Sequence, residues 1–373
     1  MCRKPPIQLE KGTKIRYNGS CKHSLICGKV NRLSQETPSY GGQAVIEGVM
    51  FGGKHVNVTA VRRKSQEITF LEVPRSDQRW VTKLRRIPLL RGIVSIIDSS
   101  AKGSKHLNYS AEAYAEDEVT PEERAQRELE KANEAKKKEA KEKEEGFSIG
   151  MMLGVAVMGI LSFVMGKLIF TLVPVFVENF LFKDAFDGYI LHNLVEGAIK
   201  LILLLVYLWI ISQTPVVKRL FQYHGAEHKV ISAFEAGDEL TVENVQKHSR
   251  LHYRCGSSFM MLTIVLGVVI YSFVPWDNLW DRIIQRLVLL PVVIGVSFEV
   301  LKGTNALRDV PVLRYLGYPG LWLQLLTTKE PKDDQVEVSI ASFNRMRELD
   351  AAYEQGLIKN ETVTGGILDP VKG

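Results

Sequence analysis

Cysteine is scarce in this chain of 373 residues: Cys2, Cys21, Cys27 and Cys255 stand at irregular spacing. That excludes a disulfide framework and suits a reducing compartment. The first residues, "MCRKPPIQLEKG", contain no apolar core, so signal-peptide and lipoprotein readings fail there. No run of basic residues alternates with aromatics, and the net charge is only +6, so nucleic acid is not an expected partner. A phosphate-binding loop is missed by one residue. Gly48, Gly53 and Lys54 have the G-x-x-x-x-G-K spacing, but His55 stands where a Mg²⁺-ligating Ser or Thr is needed. The residues after it, Val56 to Val61, alternate like a strand and do not open the helix a phosphate needs. A hairpin with its tight turn at Gly48–Lys54 is expected instead, and no nucleotide. Glu47 alternates with Val45, Val49 and Phe51 on an apolar face. If buried, it needs a partner, expected among the basic residues of 79–91 or in the histidine cluster described below.

Apolar residues are abundant and segregated. Four stretches are long enough to cross a bilayer, which takes about 20 helical residues. They run from Phe147 to about Val177, Tyr189 to Ser212, Ser257 to Val274, and Ile283 to Leu301. Trp209, Trp276 and Trp280 lie near segment ends, where indoles favour the interface. The segments "ENFLFKDAFDG" and "PWDNLWDR" are poor in base, whereas residues 214–256 carry Lys218, Arg219, Lys229, Lys247, Arg250 and Arg254. The positive-inside rule then places both termini and residues 214–256 in the cytosol. Glu196 and Lys200, four apart within the second stretch, are expected to neutralise each other, and Lys167 to snorkel or pair with another helix. So few polar residues in the spans make a transporter the least favoured class.

The expected fold is a polytopic α-helical membrane protein of four transmembrane helices with a small cytosolic N-terminal β-rich unit. Residues 1–39 form a polar tail, in which Cys21, His23 and Cys27 are read as plain residues of no metal site. Residues 40–115 hold β hairpins and a basic, Leu/Ile-rich segment that lies on the anionic leaflet or packs on the β unit. Residues 116–146 form a charged helical spacer, begun by a capping box of Thr120, Pro121 and Glu123. Residues 147–304 are the membrane domain, and 305–373 an interfacial segment followed by a helix from about Gln335 to Tyr353, capped by Asp334.

One constellation carries chemistry. His224-Gly225-Ala226-Glu227-His228 is an H-x-x-E-H pattern. On a helix the two histidines stand one turn apart and can bind one Zn²⁺, with Glu227 as general base toward metal-bound water. Further ligands are open among Glu235, His252, Cys255 and Glu299. With Glu299 and water the site keeps an open, hydrolytic position; with His252 and Cys255 it closes as a structural site. All lie at one depth, the inner membrane surface, under the topology above.

The blocks "GGQAVIEGVM", "YHGAEHKVI", "RCGSSF" and "PGLWLQLLTTKEPKDDQVEVSIAS" resemble the signature blocks of the YqhQ-like family of bacterial membrane proteins. The resemblance runs from about Tyr40 to Phe343, with Tyr253 where family members often have Pro. It implies a domain of unknown function, a label of predicted metal-dependent enzyme resting on His224, Glu227 and His228, and a bacterial inner-membrane location. Two function classes follow. One is zinc-dependent hydrolysis of a peptide or lipid-linked substrate at the bilayer surface. The other is a non-catalytic adaptor or assembly factor that binds other membrane proteins, such as the translocon.

Overall fold

The computed structural model describes residues 40–75, 79–118, 166, 169–253, 255–306, 315 and 317–357. The Cys21/His23/Cys27 group, the charged spacer, Lys167 and most of the first apolar stretch lie outside the described residues. Four short strands come first: β1 (Gly41–Val45), β2 (Gly48–Gly52), β3 (Val56–Arg62) and β4 (Ile68–Pro74). They form one antiparallel sheet in sequence order, so β1 and β4 are its edges. The expected β unit is therefore present, but the turns fall elsewhere. β1 and β2 are joined through Ile46 and Glu47, with Val45 opposite Gly48, and Glu47 takes φ 54°. Gly48–Gly52 is strand, paired on both sides, and Gly48 lies so close to the Ala60 backbone that a Cβ there has no room.

β3 is buried on both faces, which the alternation of Val, Asn, Val, Thr, Ala, Val does not by itself imply, since alternation marks one buried face. Val56, Val58 and Ala60 join the main core. That core also takes Tyr223, Ala226 and Val230 from α5 (Pro215–Ala236) and Val336, Phe343 and Met346 from α10 (Asp333–Glu354). On the opposite face Thr59 meets His106 of α2 (Leu90–Glu118) at 2.6 Å. The short α1 (Arg79–Leu84) precedes α2. Of the two placements open for this basic segment, packing on the β unit is realised. α10 begins two residues before the expected start; the Gln335 side chain, not Asp334, accepts the Lys332 N–H at 2.9 Å.

The segment resembling a phosphate loop does hold an anion, but one of the chain's own. Asp350 of α10 accepts N–H bonds from Lys54 (2.6 Å), His55 (2.8 Å) and Val56 (3.2 Å). Lys54 itself pairs with exposed Glu354. Three consecutive amides facing one carboxylate leave no place for a phosphate.

The apolar helices are α3 (Ile169–Phe182), α4 (Tyr189–Ile211), α7 (Gly256–Tyr271) and α8 (Leu279–Ala306), with the short α6 (Val242–Gln246) between α5 and α7. By length and composition, two described helices can cross a membrane: Tyr189–Ile211 and Leu279–Thr304. α7, at 16 residues, is shorter than the span expected from the sequence. Both long helices turn most of their apolar surface outward, with 17% and 33% of their windows buried. Ile202, Trp209, Ile284 and Val288 are among the exposed side chains. A core helix of a water-soluble protein would hide this face.

Inside these helices lies a buried ionic network. Glu196 accepts from Arg282 (2.8 Å) and Arg286 (2.7 Å), so its carboxylate is satisfied from α8 and not by the anticipated pairing with Lys200 alone. Glu178 accepts from Arg282 and meets His192 Nδ1 at 2.5 Å. Arg282 also lies over Trp276 and Arg286 over Tyr271. Two guanidiniums against two carboxylates balance the charge, as burial in an apolar setting demands. This network is at the opposite end of α7 from Cys255.

Candidate metal centre

α5 starts with Pro215 in its first turn and ends at Gly237, whose φ of 83° closes the helix in the left-handed region. Its 22 residues place His224 and His228 one turn apart, their rings 4.5 Å between centroids. Cys255, the residue before α7, comes to the same point. One donor atom from each of His224, His228 and Cys255 lies within 4.8 Å of the others. His224 Nε2 and Cys255 Sγ are 3.3 Å apart.

The donor set fits a tetrahedral metal ion. Ligand bonds of roughly 2.0–2.3 Å put neighbouring donors about 3.3–3.6 Å apart, so the His224–Cys255 separation already matches. Each imidazole is also held through its other nitrogen. His224 Nδ1–H donates to the Thr327 carbonyl at 2.9 Å, and His228 Nδ1–H to the Arg250 carbonyl at 2.6 Å. These bonds select the tautomer that leaves both Nε2 lone pairs free, the support that metal-binding histidines require. Burial pushes the His228 pKa down, keeping the ring neutral and able to coordinate. Cys255 Sγ accepts from Ser257 N–H at the start of α7, where the helix dipole favours negative charge.

Glu227 is 5% exposed beside this group. Burial pushes its carboxyl above the usual range, opposed by His224, His252 and a hydrogen bond from Gly42 N–H. Gly42 is required for that approach: a Cβ there would stand 3.0 Å from the Glu227 carboxyl carbon. All these residues border a cavity of about 330 Å³, closed on one side by Tyr40–Ala44 of the β1 edge and on another by Leu220, Phe221 and Ile231.

Two expected ligands are not drawn into the group. Glu299 is held by the Arg91 guanidinium and the Leu89 N–H at the start of α2, so its charge is compensated elsewhere. His252 lines the cavity, its ring 5.8 Å from that of His228, but its Nε2 faces Glu235 at 3.7 Å. Its backbone is clamped by Gln324 at both N–H and carbonyl, 2.8 Å each. Glu235, also weighed as a ligand, is thus a neighbour of His252. Glu47 meets neither the histidines nor residues 79–91: Arg219 donates to both its oxygens at 2.5 Å, and the Tyr223 hydroxyl donates at 3.3 Å. Burial keeps that phenol neutral by raising its pKa.

The supporting residues were not apparent from the motif. Three of them come from α9 (Tyr318–Thr327) and the turn after it: Gln324, Thr327 and Thr328. Thr328 receives the Arg250 guanidinium at 2.7 Å through its carbonyl, and Arg250 in turn supplies the carbonyl that His228 uses. Gly225 makes this possible, because the Lys329 backbone lies where its Cβ would be. A glycine in mid-helix costs about 1 kcal/mol against alanine. That cost, inside H-x-x-E-H, was the legible sign of a close backbone approach.

Comparison with known proteins gives a family and no activity. A family described as "Protein of unknown function (DUF1385)" matches residues 87–349. The chain is similar to "Uncharacterized protein YqhQ" of Bacillus subtilis (strain 168), 53% identical over 318 residues, covering 85% of this chain and 95% of the relative. No solved structure matches. With most of its helices and all three candidate ligands inside the matched region, the chain belongs to the DUF1385 family.

Proposed function

We propose that the chain is a bacterial inner-membrane protein that binds zinc through His224, His228 and Cys255 and hydrolyses a peptide or lipid-linked substrate at the cytosolic surface. Four helices span the bilayer in this reading: the first apolar stretch ending in α3, then α4, α7 and α8. Both termini and residues 214–256 face the cytosol. The observation that carries it is the arrangement of two imidazoles, each anchored by a backbone carbonyl, converging with a thiol beside a buried carboxylate. Two nitrogens and one sulfur suit zinc and leave the fourth position open.

A bound zinc would polarise the substrate carbonyl and lower the pKa of water. The chain's own residues do the rest. Glu227 takes a proton from the attacking water at its carboxylate and delivers it to the leaving atom. Burial, by raising its proton affinity, suits it to that exchange. Leu220, Phe221 and Ile231 line one wall of the cavity with apolar surface.

Metal analysis of the full chain, purified without chelator, tests the reading. One zinc per chain is expected, lost in Cys255→Ser and His228→Ala but retained in Glu227→Gln. A protein without stoichiometric metal would overturn the hydrolase and leave the adaptor reading. Topology is checked by single cysteines at Asp277 and Lys247 in a background without other reactive thiols. Impermeant reagent applied to whole cells is expected to label only the former.

A further inference from the structure

Pleating decides which backbone groups of β1 face outward. Arg62 N–H donates to the Glu47 carbonyl, so Glu47 and Arg62 are a hydrogen-bonded pair between β2 and β3. Gly48, Met50 and Gly52 then direct their N–H and C=O groups toward β1, where they meet Val45, Gln43 and Gly41. Gly42 and Ala44 are left facing the free edge. Gly42 N–H goes to Glu227. Among the described residues no hydrogen bond reaches the N–H or C=O of Ala44. Both Gly42 and Ala44 border the cavity that holds His224, His228, Cys255 and Glu227.

We infer that the free edge of β1 is the substrate-binding strand of this site, and that the substrate is an extended peptide segment. The peptide adds to the sheet as a strand, exchanging backbone hydrogen bonds with Ala44, which places one of its carbonyls before the three ligands. This deepens the hydrolase reading and rests on it. A strand edge recognises a backbone amide; a lipid headgroup offers no matching alternation of donors and acceptors. The cavity of about 330 Å³ is at the small end for ligand pockets, which suits a few peptide residues and not a folded domain. In the reaction the water oxygen bonds to the peptide carbonyl carbon. The C–N bond breaks with its electrons on nitrogen, and the proton taken by Glu227 goes to that nitrogen.

Binding separates the two readings. The probes are acetohydroxamate, a tri-leucine hydroxamate, and the same tripeptide methylated on its backbone nitrogens, each titrated into the zinc-loaded full chain. The tripeptide is expected to bind at least tenfold more tightly than acetohydroxamate, and methylation is expected to abolish that advantage. Ala44→Pro, which removes an edge N–H outside the β1–β2 ladder, should abolish it as well while leaving acetohydroxamate affinity unchanged. Unchanged acetohydroxamate binding also shows that the variant is folded. In the parent protein the Ala44 amide should gain protection from hydrogen exchange when the tripeptide binds. Acetohydroxamate binding with no effect of methylation or of Ala44→Pro overturns the strand inference alone. Failure to bind zinc or any hydroxamate overturns it together with the hydrolase.

Discussion

Asp350 is the residue on which the glycine-rich turn depends. Its carboxylate receives Lys54 N–H at 2.6 Å, His55 N–H at 2.8 Å and Val56 N–H at 3.2 Å, and only 7% of the residue is exposed. A hydrogen bond to a charged acceptor contributes about 1.5–3 kcal/mol net. Three bonds to one carboxylate are not independent, and the third is long, so Asp350→Ala should cost about 3–5 kcal/mol. Asp350→Asn keeps one acceptor oxygen and should lose about half of that. Lys54→Met removes only a solvent-exposed pair with Glu354 and should leave stability unchanged. Pulse proteolysis of the detergent-solubilised chain in a urea series measures all three, and in the two Asp350 variants trypsin cleavage after Lys54 reports on the turn itself. A Lys54→Met loss equal to that of Asp350→Ala would refute the reasoning, because the turn would then depend on a cation and not on its bound carboxylate.

Other perturbations bear on the site and the core. Gly225→Ala should push residues 327–331 away from α5, misalign the Thr327 carbonyl that His224 uses, and weaken zinc binding about 10–100-fold; competition with a metallochromic chelator measures it. Glu196→Gln leaves Arg282 and Arg286 facing one carboxylate, Glu178, and should cost about 3–5 kcal/mol in thermal unfolding in detergent. His106 is 1% exposed, and burial, with Lys105 nearby, lowers its pKa to about 4. The unfolded chain takes up a proton near the ordinary histidine pKa of about 6.5, while the folded one does not until about pH 4. Stability should therefore be intact above about pH 6.5 and fall by about 3 kcal/mol as pH drops from there to 4. Unfolding followed across that range should lose this slope in His106→Gln.

Elements set by local periodicity were legible in the sequence. The alternation of Val56–Val61 announced a strand, the apolar runs at 189–212 and 283–301 announced long helices, and H-x-x-E-H announced two histidines on one helical face. What could not be read was where long-range partners fall. Glu47 needed a cation, but pattern alone could not choose Arg219 over residues 79–91, since the choice depends on α5 crossing the β1–β2 turn. Glu299 and Cys255 looked equivalent as ligands. Docking α2 against α8 gives Arg91 to the first, while the start of α7 brings the second to His224.

The sequence by itself thus determined the strands, the apolar helices and the spacing of His224 and His228, because each depends on neighbours a few residues away. Tertiary structure alone decided which thiol stands beside the two histidines, the carbonyls of Thr327 and Arg250 that orient the rings, and the carboxylate that occupies the glycine-rich turn. Those contacts join residues 22 to 296 positions apart, brought together by burial of a shared core that no local pattern encodes.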